Sequence, residues 1–174
     1  MSKKKGTISG NYENEFVIIG IACHLNDYRL VHFLNKTLSF NFTRYDDLLI
    51  YQKNSEIPLG FPFYYFDDNE SYTSFYFISN RNSDGIIINE WKQIDFLLIA
   101  FGSTNNIDLE SIVKQIRKIP NVLLVSKMPF TKKNEFDILM TDIELHINEI
   151  IKKEKADENE AKKKLKISTI TSKQ

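Results

Sequence analysis

Ile88-Asn89-Glu90-Trp91-Lys92-Gln93-Ile94-Asp95-Phe96-Leu97-Leu98-Ile99 joins a polar turn to an apolar run that continues to Phe101 and stops at Gly102. The run reads as a buried strand, Ile94 to Phe101, with the acids Glu90 and Asp95 standing just before it. A second run, Phe16-Val17-Ile18-Ile19 followed by Ile21, is rich in β-branched residues and reads as a central strand over 15–22, covered on both faces. Two such strands, far apart in the chain, set the expectation of a sheet core.

The elements between and beyond them follow from local signals. Asp27 is placed to cap a helix from Tyr28 to about Leu38, whose apolar positions Leu30, Val31, Leu34 and Leu38 share one face. Strands rich in Tyr and Phe are expected over 40–44, 47–52, 61–66 and 74–80, with turn residues between them. Residues 80–85 read as a turn ending in Asp84-Gly85, and Ile86 to Ile88 as a short strand. Asn106 or Asp108 caps a second helix with the apolar face Leu109, Ile112, Val113, Ile116 and Ile119, stopped by Pro120. Val122 to Val125 forms a last strand. A third helix is expected from about Glu135 to Lys152, with Phe136, Leu139, Met140, Ile143, Ile147 and Ile150 in one stripe. The fold class expected is α+β: a single domain over 15–152 with a mainly antiparallel sheet of about six to seven strands and three helices packed on it. Residues 1–14 read as a disordered N-terminus, and 153–174 as a charged, lysine-rich disordered tail.

Charge is divided unevenly along the 174 residues. From Lys152 onward there are eight lysines against four acids, whereas residues 6–151 hold 12 basic and 19 acidic residues. A body of that sign is a poor platform for a phosphate backbone, so the fold itself is not expected to bind nucleic acid. The lysine tail, Lys162-Lys163-Lys164 and Lys166, offers at most a weak contact with RNA or an acidic partner. A single cysteine, Cys23, excludes an internal disulfide and any multi-cysteine zinc site, which suits a reducing cytoplasm. No apolar run is long enough to span a bilayer, and no leader segment follows the N-terminal lysines, so a cytoplasmic protein is expected.

Several residue groups invite a chemical reading. Cys23, His24 and Asp27, with His32 eight residues beyond His24, contain metal-ligating types but match no zinc spacing. Asp46-Asp47, Asp67-Asp68 and Glu70 sit at strand ends and turns, where solvated acids are expected. Gly102-Ser103-Thr104-Asn105-Asn106 connects a strand to a helix without a Walker or dinucleotide pattern. Aromatics from Phe61 to Phe77 lack the basic neighbours that base stacking needs, since no Lys or Arg lies between Lys53 and Arg81, and they read as core. Glu90 and Asp95 read as groups that cap backbone N–H groups or pair with a base such as Arg29 or Arg44. No catalytic, cofactor-binding or metal-binding residue is assigned.

The stretch Ile88 to Phe96 resembles the motif that names the IPExxxVDY family, small bacterial proteins of the Bacteroidetes type. Asp27-Tyr28-Arg29-Leu30 with Leu34-Asn35-Lys36 resembles that family's first helix, and Arg44-Tyr45-Asp46-Asp47-Leu48 its R-x-x-D-L strand entry. Phe61 to Asp67 and Ile78-Ser79-Asn80-Arg81 resemble its aromatic–acidic stretch and a strand end. The likeness spans roughly 15–101, with Asn89, Ile94 and Phe96 standing where the motif has Pro, Val and Tyr. The positions carrying it are Asp27, Tyr28, Arg29, Asn35, Arg44, Asp47, Ile88, Glu90, Ile94, Asp95 and Phe96. The resemblance implies a cytoplasmic bacterial setting and brings no activity with it. Three functions stand open: a non-catalytic module that binds another protein, an RNA-associated factor using the lysine tail, and a small-molecule binder or enzyme with a pocket at His24, Arg29 and Glu90.

Overall fold

A computed structural model describes residues 16–51, 56–129 and 133–171. The expected N-terminal disorder at 1–14 lies outside the described residues. Two compact units are present, one within Met1–Asp47 and Phe61–Pro129, the other within Leu48–Gly60 and Phe130–Gln174.

The first unit holds a six-stranded antiparallel sheet. Its strands are β1 (Phe16–Cys23), β2 (Thr43–Arg44), β5 (Phe63–Asp68), β6 (Thr73–Ser79), β7 (Phe96–Gly102) and β8 (Val122–Lys127), in the order β2-β5-β6-β7-β1-β8. The two apolar runs become neighbours: β1 pairs with β7 from Phe16↔Phe101 to Ile21↔Phe96. Register aligns the core in rows across the strands. Tyr64 faces Phe77, Phe77 faces Leu98 and Leu98 faces Ile19, while Phe96, Ile21 and Val125 form another row. All of these side chains are buried in one cluster with residues of α1 (Asp27–Leu38) and α2 (Leu109–Ile116), which pack against each other. Leu30, Val31 and Leu34 from α1 and Ile112 and Ile116 from α2 supply the helical part of that core. Aromatic pairs add directional contacts, with Phe77 stacked on Phe96 at 5.1 Å and Phe66 on Phe75 at 5.9 Å. Residues of the other sheet face, Ile18, Tyr76, Ile78, Leu97 and Ile99, are buried too, which is why β1 and β7 are almost unbroken apolar runs.

Several boundaries differ from the sequence reading, each for a local reason. Asp27 is not the cap of α1: the N-cap position is Asn26, whose side chain makes no capping bond, and the Asp27 carboxylate is held by Tyr64 instead. Asp108, by contrast, caps α2, its Oδ1 accepting from Ser111 N at 2.9 Å. The aromatic strand expected over 61–66 is broken at Pro62, which has no N–H to give a ladder, into β4 (Leu59–Phe61) and β5. Ile86 to Ile88 makes one isolated bridge, Arg81↔Ile86, and then enters a 3-10 turn at Asn89–Trp91. The turn before it is built by Asn82, whose Oδ1 accepts from the N–H groups of Asp84 and Gly85.

Both sheet edges are closed to easy extension. β2 has two residues and carries Arg44; β8 carries a register shift opposite Ala22/Cys23. Arg117, at the C-cap of α2, donates to the Val125 carbonyl of β8 from Nε and Nη2 at 3.3 and 2.8 Å. A short strand, a bulge and a guanidinium on a carbonyl are devices that discourage edge pairing.

The second unit consists of a hairpin, β3 (Leu48–Ile50) with β4, and the helix α3 (Lys133–Thr171) in contact with β3. Phe136, Leu139, Met140, Ile143 and Ile150 are buried and Ile147 is half-buried, following the expected stripe. The helix continues past Lys152 to Thr171, through a stretch expected to be disordered. No Gly or Pro occurs after Pro129, and Glu160 precedes Lys164 by four residues, so local propensity favours continued helix.

Candidate functional site

Of the polar residues singled out by sequence, Cys23, His24, Asp27 and Asp95 gather around the ends of β1 and β6 and the start of β7. Asp95 is the densest joint. Its N–H donates to the Ile21 carbonyl at 3.0 Å, its carbonyl accepts from Asn80 N at 2.8 Å, and its Oδ2 accepts from Cys23 N at 3.0 Å. The other carboxylate oxygen pairs with Arg81 Nη1 at 3.6 Å, so its cationic partner is Arg81 rather than Arg29 or Arg44. Strand order explains the choice, because β6 delivers Arg81 beside the start of β7.

Asn80, just past β6, is fully buried with every polar atom of its side chain used. Nδ2 donates to the carbonyls of Trp91 and Ile94, each at 3.0 Å, and Oδ1 accepts from Ile88 N at 3.0 Å. This side chain holds the 88–94 turn onto the sheet. Sequence reading noted Asn80 within a strand end but gave it no role; a polar residue after the apolar run Phe75–Ile78 was the available signal. Ile88 and Ile94 are buried at the two ends of the turn it clamps.

A second group links α1 to the β2–β5 side. Tyr64 Oη donates to Asp27 Oδ2 at 2.9 Å, and the Arg44 guanidinium lies 5.3 Å from the Tyr64 ring centroid. Burial first, then the hydrogen bond and charge of Asp27, pushes the Tyr64 hydroxyl up to about 12 against a partial opposing effect of Arg44. Arg44 also pairs with Asp47 and donates to the Tyr45 carbonyl. Asn35 ties the end of α1 to Phe42 by two bonds, accepting from Phe42 N at 2.9 Å and donating to its carbonyl at 3.1 Å.

The acids of the β5–β6 turn are likewise used locally. Asp68 accepts from Glu70 N at 3.1 Å and Ser71 Oγ at 2.6 Å, and Asp67 accepts from Ser74 Oγ at 2.8 Å. Gly102-Ser103-Thr104-Asn105-Asn106 forms a strand end and a 3-10 turn leading to capped α2.

A cleft of about 330 Å³ lies at this strand-end junction, lined by Cys23, His24, Leu25, Asn26, Asp27, Tyr28, Ser79, Arg81, Asp95 and Phe96. Four of the positions that carry the resemblance, Asp27, Tyr28, Asp95 and Phe96, therefore meet at one place. Of the pocket expected from His24, Arg29 and Glu90, His24 is in the lining; Arg29 and Glu90 are exposed residues outside it. Burial raises the Cys23 thiol above its ordinary range, with the nearby Asp95 charge adding to the effect, so the thiolate is disfavoured. His32 lies on the exposed side of α1, away from the cleft lining. Among the described residues no group of three or more His, Cys, Asp or Glu side chains is arranged to hold a metal ion.

No protein-family model matches the chain, and neither curated proteins nor solved structures gave a significant match.

Proposed function

We propose that this chain is a non-catalytic protein-interaction module of the IPExxxVDY family, working in the bacterial cytoplasm. The observation that carries the interaction reading is the β3–β4 hairpin. Leu49, Tyr51 and Ile57 are 55%, 67% and 75% exposed, three large apolar side chains within nine residues of a segment outside the main sheet. Joined into one patch, such groups form the kind of apolar surface that marks a protein contact. The family reading is supported by the architectural work of the motif residues: Asp95, Arg44, Asp47, Asn35 and Asp27 all hold backbone or partner side chains. Among the described residues no helix is long and apolar enough to cross a membrane.

The test compares the immobilised full chain with a Leu49→Ser/Tyr51→Ser/Ile57→Ser variant in bacterial lysate. One protein retained by the parent chain and lost by the variant, with far-UV CD unchanged, is the expected result. Equal retention by both chains refutes the hairpin as the contact. Retention of RNA that disappears on truncation at residue 152 would instead favour the lysine-rich end of α3.

A further inference from the structure

The cleft at the β1–α1 junction holds groups that the strand-end joint leaves unused. Asp27 Oδ2 accepts from Tyr64, while its second carboxylate oxygen has no hydrogen-bond or ion-pair partner among the described residues. The exposed His24 imidazole has none either. Arg81 reaches the Lys92 carbonyl through Nη2 and stands 3.6 Å from Asp95, beyond good hydrogen-bond length, so N–H donors remain on a guanidinium that has five. Asp95 itself is tied down by Cys23 N.

One wall-lining segment thus supplies a carboxylate with a spare oxygen and an imidazole, and another supplies a guanidinium with spare donors. A simple anion or a simple cation entering the cleft would meet the same three charged groups, Asp27, Asp95 and Arg81. The anion would leave the spare Asp27 oxygen unsatisfied and the cation would leave the spare Arg81 donors unsatisfied, whereas a ligand carrying both charges satisfies both sides. The volume lies at the small end of ligand sites, and Leu25 and Phe96 give it an apolar portion. We propose that this cleft binds a small zwitterion of the α-amino acid class, Arg81 receiving the carboxylate and Asp27, beside His24, the ammonium group. The cleft and the hairpin surface share no residue, and either reading can fail without the other.

Backbone-amide NMR titration of the full chain tests it with glycine, acetate and methylammonium as probes. Glycine is expected to shift the Cys23–Tyr28 and Arg81 amides saturably, with acetate and methylammonium each binding at least about tenfold more weakly. Asp27→Asn, which keeps an acceptor for Tyr64, is expected to weaken glycine by about tenfold while leaving amides remote from the cleft in place. Acetate or methylammonium binding as well as glycine overturns the zwitterion assignment. So does the absence of saturable shifts with glycine at roughly millimolar concentration. Because the three-probe comparison uses the unaltered chain, a misfolded variant would not blunt the test.

Discussion

Replacing Asn80 by Ala removes three hydrogen bonds at once, and the structure says which groups are stranded. The Trp91 and Ile94 carbonyls lose their Nδ2 donor, and Ile88 N loses its acceptor, with the latter two bonds in a buried setting. At a net value of about 1 kcal/mol for each bond, the loss is about 3 kcal/mol, and buried groups left unsatisfied push it upward. The backbone bonds from Asn80 N to the Asp95 carbonyl and from Ile87 N to the Asn80 carbonyl survive the substitution, so the damage falls on the 88–94 turn first. The single tryptophan of the chain, Trp91, sits in that turn and reports on it directly. Urea unfolding followed by Trp91 fluorescence should show a lower midpoint for Asn80→Ala, with far-UV CD recording the whole chain in parallel. Asn80→Asp sharpens the argument: it preserves size and the acceptor for Ile88 N but turns a carboxylate toward two carbonyls, and should destabilise at least as much at neutral pH. A loss below about 1 kcal/mol in Asn80→Ala would refute the clamp, because it would mean that water or another group satisfies all three partners.

Two further perturbations follow from local geometry. Gly102 ends β7 at φ +111°, and a Cβ there would stand 2.6 Å from the Tyr72 carbonyl oxygen; Gly102→Ala should cost about 3 kcal/mol and lower the midpoint of thermal unfolding, whereas an unchanged midpoint would show that the β6–β7 end shifts without penalty. Tyr64 makes alkaline stability pH-dependent. Its hydroxyl is raised from 10.0 to about 12 in the folded chain, so the folded state holds that proton more tightly; the contribution is complete below about pH 10 and disappears as pH rises toward 12. Tyr64→Phe should be weaker by about 1 kcal/mol at neutral pH and should lack this part of the alkaline decline, which paired denaturation curves from pH 8 to about 12 would read; parallel slopes in the two proteins would exclude it.

Much of the framework is local in origin and was legible residue by residue. The runs in β1 and β7, the apolar faces of α1 and α2, the Asp108 cap and the α3 stripe each follow from spacing, side-chain shape and one nearby hydrogen bond. The break at Pro62 also had a local signal, the missing N–H, but the aromatic pattern on both sides masked it. Site chemistry was less accessible. Asp95 stands 14 residues from Arg81 and 72 from Cys23, and nothing along the chain distinguishes Arg81 from Arg29 or Arg44 as its partner. That choice waited on the order β6-β7-β1, which brings one strand end, one strand start and one helix entry together. The same convergence makes Asn80 a clamp, gathers Asp27, Tyr28, Asp95 and Phe96 around one cleft, and leaves Glu90 outside it. Sequence alone determined where most of the strands and helices lie, because backbone propensity and apolar periodicity act over a few residues. Tertiary structure decided which polar groups meet, because burial of distant apolar faces sets strand order and register, and those set every long-range hydrogen bond.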